Sequence, residues 1–372
     1  MNVSRKALGL FALGVALVVV TGLWSWQVFG TSPSQLETRP GASLAATWRS
    51  FACIAIAACF VAAMFVEARA RGVFDRPASA LRSAAPMERL GTQALLAFAM
   101  LWPLVLLIRP HAFTRVAVED GPVETGSAVL LALACVSALA LVWQRRKRDD
   151  NSRLGIASIA IFGLLCFLVA GEEVSWLQRV FKVATPEAFA ANEQFELNLH
   201  NFATSASSTL YIFVGGFVAL VLVPAARALS LPLGRLGALE VAMPPAYLLG
   251  LGAVITGYNA NLWAGIDSQV AYWSSVFALA GLVTHLRDPA ARRQALVLLA
   301  MVLLIQPFLL LFAGRSSRPQ DVSEYKEFLI AASFFLWSLS LWRRPAEASV
   351  AEAPIAVATS SLTAGRAGLL SP

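Results

Sequence analysis

The stretch that decides the fold lies at residues 171–201 and reads Gly171-Glu172-Glu173-Val174-Ser175-Trp176-Leu177-Gln178-Arg179, then a polar connection, then Glu196-Leu197-Asn198-Leu199-His200-Asn201. It follows directly on the apolar run 156–170. Two adjacent carboxylates therefore stand where a membrane helix leaves the bilayer. Acidic residues at that depth are costly, and in membrane proteins they usually have a partner or a task.

Composition supports a membrane protein, because 58% of the 372 residues are hydrophobic, 14% are charged and the mean hydropathy is +0.68. A soluble domain carries about 25% charged residues. A membrane helix needs roughly 17 to 25 apolar residues. We therefore predict an all-α, polytopic transmembrane helix bundle of about ten spans, at 7–29, 48–66, 91–108, 122–143, 154–176, 208–229, 243–263, 268–286, 295–314 and 325–342.

The distribution of Lys and Arg sets the predicted orientation. With the N-terminus inside, 20 of the 29 basic residues fall in cytoplasmic segments, so both termini are predicted to be cytoplasmic. The high pI then reflects topology and anionic lipid, and we expect no nucleic-acid partner. Residues 1–344 form the predicted transmembrane domain, and the Ala- and Ser-rich segment 345–372 is a predicted disordered cytoplasmic tail.

A continuous helix through the Gly-Glu-Glu segment would place Glu172, Trp176 and Arg179 on one face, at positions i, i+4 and i+7. We therefore predict an ion pair between Glu172 and Arg179, with Glu173 pointing toward another partner. Beyond it, Thr185-Pro186 is typical of a helix start and predicts a short amphipathic helix to about residue 192, on the membrane surface.

The end of the same loop brings a carboxylate beside an imidazole. Glu196 and His200 are neighbours if the segment is helical, and with Asn198 they share one side if it is extended. The pair suits a general base, or a metal ligand with its supporting carboxylate. The alternative is an ordinary hydrogen-bonded loop histidine.

Three further outer segments carry polar residues. Glu124 lies past Pro122, already inside the fourth span, whereas Asp120 is interpreted as a helix cap. Asn259 falls within an otherwise apolar helix end. The charges at 315–327 are interpreted mainly as a solvated loop, with the alternative that they and the segment around Asn259 complete a ring around the site. His285 lies at the opposite, cytoplasmic end, which excludes a site built from all three histidines.

The candidate site therefore combines residues from spans four and five and from the following loop. We expect them to converge on a pocket open to the outer leaflet. The set suits acid–base chemistry and is compatible with a divalent metal, although no metal is specified. The candidate catalytic residues are Glu124, Glu172, Glu173 and His200, and the candidate substrate-binding residues are Gln178, Arg179, Asn198, Asn201 and Asn259.

The motif resembles the signature of an uncharacterised family of bacterial polytopic membrane proteins. The resemblance covers 171–181, Thr185-Pro186 and 196–201, and is specific over about 119–201. Leu177 stands where that signature has Gly. The resemblance implies a bacterial inner membrane and carries no activity. The glutamate pair also resembles that of membrane-embedded CAAX proteases, but the nearby Arg and further histidines of that group are missing, so we reject it.

Three kinds of function fit these residues. The first is an enzyme, a hydrolase or transferase, acting on a lipid or lipid-linked substrate. The second is a transporter of a small solute or ion, and the third is a non-catalytic binding or assembly protein. We favour the enzyme over the transporter because the acidic residues lie on one side and the predicted midplane is nearly bare, with Gln306-Pro307 its main polar feature.

The predicted topology can be tested with reporter fusions at residues 150 and 190. The split of basic residues leads us to expect a cytoplasmic signal at 150 and an outer signal at 190. A cytoplasmic signal at 190 would contradict the topology and the outward-facing site together.

Overall fold

The computed structural model describes residues 3–29, 44–75, 85–118, 121–148, 153–189, 197–199, 202, 209–231, 239–260, 265–318 and 320–344. These residues form helices joined by short turns. The predicted tail at 345–372 lies outside them, as do Asp120 and Glu196. The site is therefore described from the remaining helices and from the first part of the loop after the Gly-Glu-Glu segment.

Twelve α-helices and one π-helical segment make up the described fold. The π-helical segment, named π1, runs directly into α8. The bounds are α1 Arg5–Phe29, α2 Leu44–Ala70, α3 Pro86–Ile108, α4 Pro110–Ala117, α5 Pro122–Arg148, α6 Arg153–Glu173, α7 Gln178–Phe181, π1 Thr209–Leu222, α8 Val223–Ala228, α9 Leu249–Thr256, α10 Ile266–His285, α11 Pro289–Phe312 and α12 Asp321–Leu341.

Seven helices in the described residues are long and apolar enough to cross a membrane, which supports a multi-pass helix bundle in a lipid bilayer. They correspond to α1, α2, α3, α5, α6, the combined π1 and α8, and α11 with its last turn. The other three predicted spans correspond to α9, which is short, and to α10 and α12, which carry more polar residues.

One group of helices is built around α5, which packs against both α6 and α12. Glycine permits the close approach at two levels. A Cβ at Gly163 would lie 3.0 Å from that of Ala138, and one at Gly126 would lie 2.9 Å from the ring of Phe328. The first turns of α5 and α12 and the last turn of α6 are thereby brought together.

A second group contains α1, α2, α10 and π1. The helices α2 and α10 run side by side in the same direction, because Cys53 lies within electrostatic range of Asp267 while the rings of Phe65 and His285 are 5.3 Å apart. Helix α1 runs antiparallel to α2, with the Ser4 N–H donating to Glu67 at 2.9 Å. Asp267 thus lies at the end of this group opposite to Phe65 and His285.

Helix α9 ends inside the bundle, where the sequence predicted a full span over 243–263. It stops at the buried Thr256, and the Asn259 side-chain amide donates to the Thr256 carbonyl at 2.7 Å. The preceding Tyr258 is fully buried, and its hydroxyl donates to the Ala99 carbonyl. Since carbonyl groups at a helix end need donors, Asn259 permits the helix to stop among other helices.

Close backbone approach between α9 and π1 depends on Gly252. A Cβ at this position would overlap the backbone carbonyl of Leu220. We expect Gly252→Ala to reduce the free energy of unfolding by about 1–3 kcal/mol, as overpacking does. Thermal unfolding of the purified protein measures this change.

The matched control is Gly9→Ala in α1, where an added Cβ meets no atom within 4 Å. There the same substitution is expected to stabilise by about 0.5–1 kcal/mol, because glycine weakens a helix interior. Equal effects at the two positions would contradict the described contact between α9 and π1.

Candidate functional site

The Gly-Glu-Glu segment turns sharply where helix α6 ends. Ser175, Trp176 and Leu177 have φ values of 45°, 53° and 61°, so three successive residues adopt the left-handed conformation. Each costs about 1–2 kcal/mol for a residue other than glycine. The prediction of one continuous helix through Arg179 was wrong, because the chain reverses here and α7 begins only at Gln178.

The turn folds Trp176 back onto the end of α6. Its indole N–H donates to the Glu172 carboxylate at 2.9 Å, and its ring meets Phe167 edge-on at 5.6 Å. A Cβ on Gly171 would lie only 2.7 Å from the indole ring. Gly171 is therefore needed to make room for Trp176.

Side chains of the signature also fasten the loop that follows. The Asn198 amide donates to Ser175 Oγ at 3.1 Å in a buried position, and the Leu199 N–H donates to Glu172 at 2.6 Å. The Gln178 amide donates to Thr185 Oγ1 at 2.9 Å and accepts from the Leu197 N–H. Most of the signature thus stabilises a strained turn and the loop attached to it.

Glu173 has different surroundings from Glu172. It lies within electrostatic range of Glu124 from α5 and of Glu324 and Glu327 from α12. All four are partly buried, and we call them the carboxylate cluster. The Tyr211 hydroxyl on π1 donates to the Glu327 backbone carbonyl at 3.4 Å, so π1 closes one side of the cluster.

A second polar group, the Lys326 network, consists of Lys326, Asn259 and Gln306. The Lys326 ammonium donates to Asn259 Oδ1 at 2.7 Å, and Lys326 is only 6% exposed. The Gln306 amide donates to the Asn259 carbonyl at 2.9 Å. Because Lys326 and Glu327 are adjacent and interact electrostatically, the network and the cluster are continuous.

The described members of the predicted site lie in different surroundings. Glu124 and Glu173 lie in the carboxylate cluster, and Asn259 lies in the Lys326 network. Glu172, Gln178 and Asn198 hold the loop, and Arg179 is exposed on α7. His200 and Asn201 lie outside the described residues, so their predicted roles stay predictions, as does the ion pair of Glu172 with Arg179.

The site predicted from the sequence did not include Glu324, Lys326, Glu327 or Gln306. The interpretation of 315–327 as a solvated loop was wrong for Asp321 and Lys326, which are buried at the start of α12. Two signals were available. Glu324 and Glu327 are spaced at i and i+3 on a helix that turns apolar directly after Glu327, and Gln306 interrupts an apolar run.

Four carboxylates in mutual range repel one another. This repulsion favours any arrangement that brings positive charge among them: a proton, the Lys326 ammonium or a cationic group of a bound molecule. Such a set can donate and accept protons. Within the described part of the chain, no three His, Cys, Asp or Glu side chains are arranged to hold a metal ion.

The structure describes two of the three histidines. His111 is exposed on α4, and His285 packs against Phe65 and Phe74 at the opposite end of the bundle.

Comparison with known proteins found no matching family model, no matching curated protein and no matching solved structure.

The left-handed turn can be tested at Leu177. With φ at 61°, glycine should be tolerated better than alanine, so we expect Leu177→Gly to be about 1 kcal/mol more stable than Leu177→Ala. Both variants lose the same packing, so the comparison isolates the backbone. Thermal unfolding of the purified variants gives the difference.

Val180 in α7 provides the control, because its φ is not positive. There the order should reverse, with Val180→Gly less stable than Val180→Ala by about 0.5–1 kcal/mol. Alanine that is as stable as glycine at position 177 would refute the left-handed turn.

Proposed function

We propose that this protein is an outward-facing enzyme of the bacterial inner membrane, a hydrolase or transferase acting on a lipid or lipid-linked substrate. The proposal includes ten spans with both termini cytoplasmic. One observation carries it. Glu173 is the signature residue that joins carboxylates from α5 and α12, whereas Glu172 is bound to Trp176 and Leu199.

The position of the cluster supports catalysis at the membrane surface. Its members come from three helices. The short α4 beside them is fastened to α12 by a hydrogen bond from Tyr325 to the Phe113 carbonyl at 2.8 Å, and to the segment before α12 by one from Arg318 to the Ala117 carbonyl at 2.7 Å. Acid–base groups on rigid helix ends are held at fixed positions, which general acid–base catalysis requires.

Roles can be assigned from these positions. We assign proton transfer to Glu173 and Glu124, with Glu324 and Glu327 sharing the charge of the cluster. Lys326 and Asn259 orient the substrate. His200 directly follows Leu199, whose N–H donates to Glu172, and we assign it the general base that the sequence predicts.

A transporter is the second candidate, and the broken helix α9 favours it. Ion and substrate sites of secondary transporters lie at discontinuous helices whose ends stop inside the bundle. Helix α9 stops in this way, beside the Lys326 network. Reconstitution in vesicles separates the two functions, because only a transporter moves solute or charge across a sealed bilayer.

Replacement of Glu173 tests the enzyme. We expect Glu173→Gln to reduce turnover by about 10²–10⁴-fold, the typical contribution of a general acid or base. His200→Ala should act in the same direction. Mass spectrometry of lipids after incubation with vesicles of bacterial lipid measures turnover, and Glu187→Gln on the exposed loop is the matched control.

Stability distinguishes catalysis from a purely structural cluster. Removing one of four repelling charges should leave the melting temperature unchanged or raise it. A structural ion network would instead lose about 3–5 kcal/mol when one partner is removed. A large loss of stability in both Glu173→Gln and His200→Ala would favour a non-catalytic protein whose cluster is structural.

A further inference from the structure

A large apolar crevice runs between α1, α2, π1, α8 and α10. Its volume is about 1010 Å³, at the upper end of the range for ligand pockets. Leu8 and Phe11 on its α1 side are 59% and 53% exposed, so the crevice is open to the surface. On a helix bundle in a bilayer, such an opening faces lipid.

The crevice has one charged residue toward each end, Glu67 and Asp267. The rest of its lining is apolar. Glu67 already has partners, since it pairs with Arg71 at 2.5 Å and accepts from the Ser4 N–H. Along α2, 14 residues separate Glu67 from Cys53, which lies within electrostatic range of Asp267, or roughly 21 Å at 1.5 Å per residue. That length is enough for an acyl chain in one leaflet, with Asp267 at one end.

Lys326 and Asp267 lie close together. They interact electrostatically, and both line one small cavity with Thr256 and Ser268. Its volume of about 10 Å³ leaves room for about one water-sized group. Phe213 lines this cavity and also the crevice, so the two spaces are neighbours.

The ammonium of Lys326 has unused hydrogen-bonding capacity. It carries three N–H donors, and in the described part of the chain one of them is bound, to Asn259. A buried ammonium with free donors is costly unless another acceptor reaches it. Lys326 lines the small cavity, so an oxygen atom of a ligand placed there would satisfy it.

We propose that the crevice binds an aminophospholipid, with one acyl chain between α1 and π1, its phosphate directed to Lys326 and its amine to Asp267. Opposite charges side by side fit a zwitterionic head, with Lys326 facing the phosphate and Asp267 facing the amine. This inference rests on the proposed function, since it names the class of lipid brought to the cluster.

Binding can be measured without turnover. Purified protein is titrated with phosphatidylethanolamine or phosphatidylglycerol, and the melting temperature is followed, because a ligand that binds the folded state raises it. We expect a saturable rise with phosphatidylethanolamine, and an apparent Kd about tenfold lower than for phosphatidylglycerol. Equal affinities would overturn the assignment of the headgroup.

Two kinds of variant test the binding of the acyl chain and of the headgroup separately. Ala63→Phe fills the crevice and should weaken the binding of both lipids at least about tenfold. Val218→Trp repeats the test at a second lining position in case the first variant fails to fold. Asp267→Asn should remove the preference for phosphatidylethanolamine, because it removes the partner of the amine, whereas Lys326→Met should weaken the binding of both lipids, because both carry the phosphate. Leu311→Phe, at a position 75% exposed on α11, is the control.

The outcomes distinguish this site from the proposed enzyme. Unsaturable binding, or wild-type affinity in the crevice-filling variants, would overturn the lipid site whatever the activity. Glu173→Gln should bind phosphatidylethanolamine like wild type. Tight, selective binding with no turnover of any lipid would refute the enzyme while leaving the lipid site in place.

Discussion

The hydrogen bond from Lys326 to Asn259 connects parts of the bundle that are distant in sequence. Asn259 donates to the Thr256 carbonyl at the end of α9 and accepts from Lys326 on α12, while Gln306 on α11 donates to its backbone. A helix can end among other helices only if its carbonyl groups find donors there. The position of α12, and with it the carboxylates of its first two turns, follows from that requirement.

Most residues of the signature stabilise the turn and the loop after it, whereas Glu173 faces the neighbouring helices. Gly171, Trp176 and Glu172 close the left-handed turn, and Ser175 holds the loop through Asn198. Three left-handed residues cost several kcal/mol together, so this many contacts are needed to maintain them. Their common effect is to end α6 directly after Glu173, which leaves that carboxylate facing α5 and α12.

Apolar length alone predicted the seven long helices and the bundle, since hydrocarbon thickness fixes the length of a span. Apolar length did not predict that α9 is shorter than a full span. The helix can stop early because Asn259 and Gln306 form hydrogen bonds with the backbone at and just beyond its end. The turn at Ser175 to Leu177 was not predictable from helix periodicity, although the glycine expected at Leu177 was a sign of it. Lys326 was missed because a charge near a helix end looks solvated in sequence, and only packing shows it buried.

The contact between Gly171 and Trp176 also constrains how this motif can change over generations. Any side chain at 171 would collide with the indole, so a lineage cannot replace the glycine before it gives up the tryptophan. Loss of the tryptophan, in turn, removes a hydrogen bond from Glu172. Steric contact therefore sets the order in which the two positions can be substituted. The effects of the two substitutions on stability are not additive.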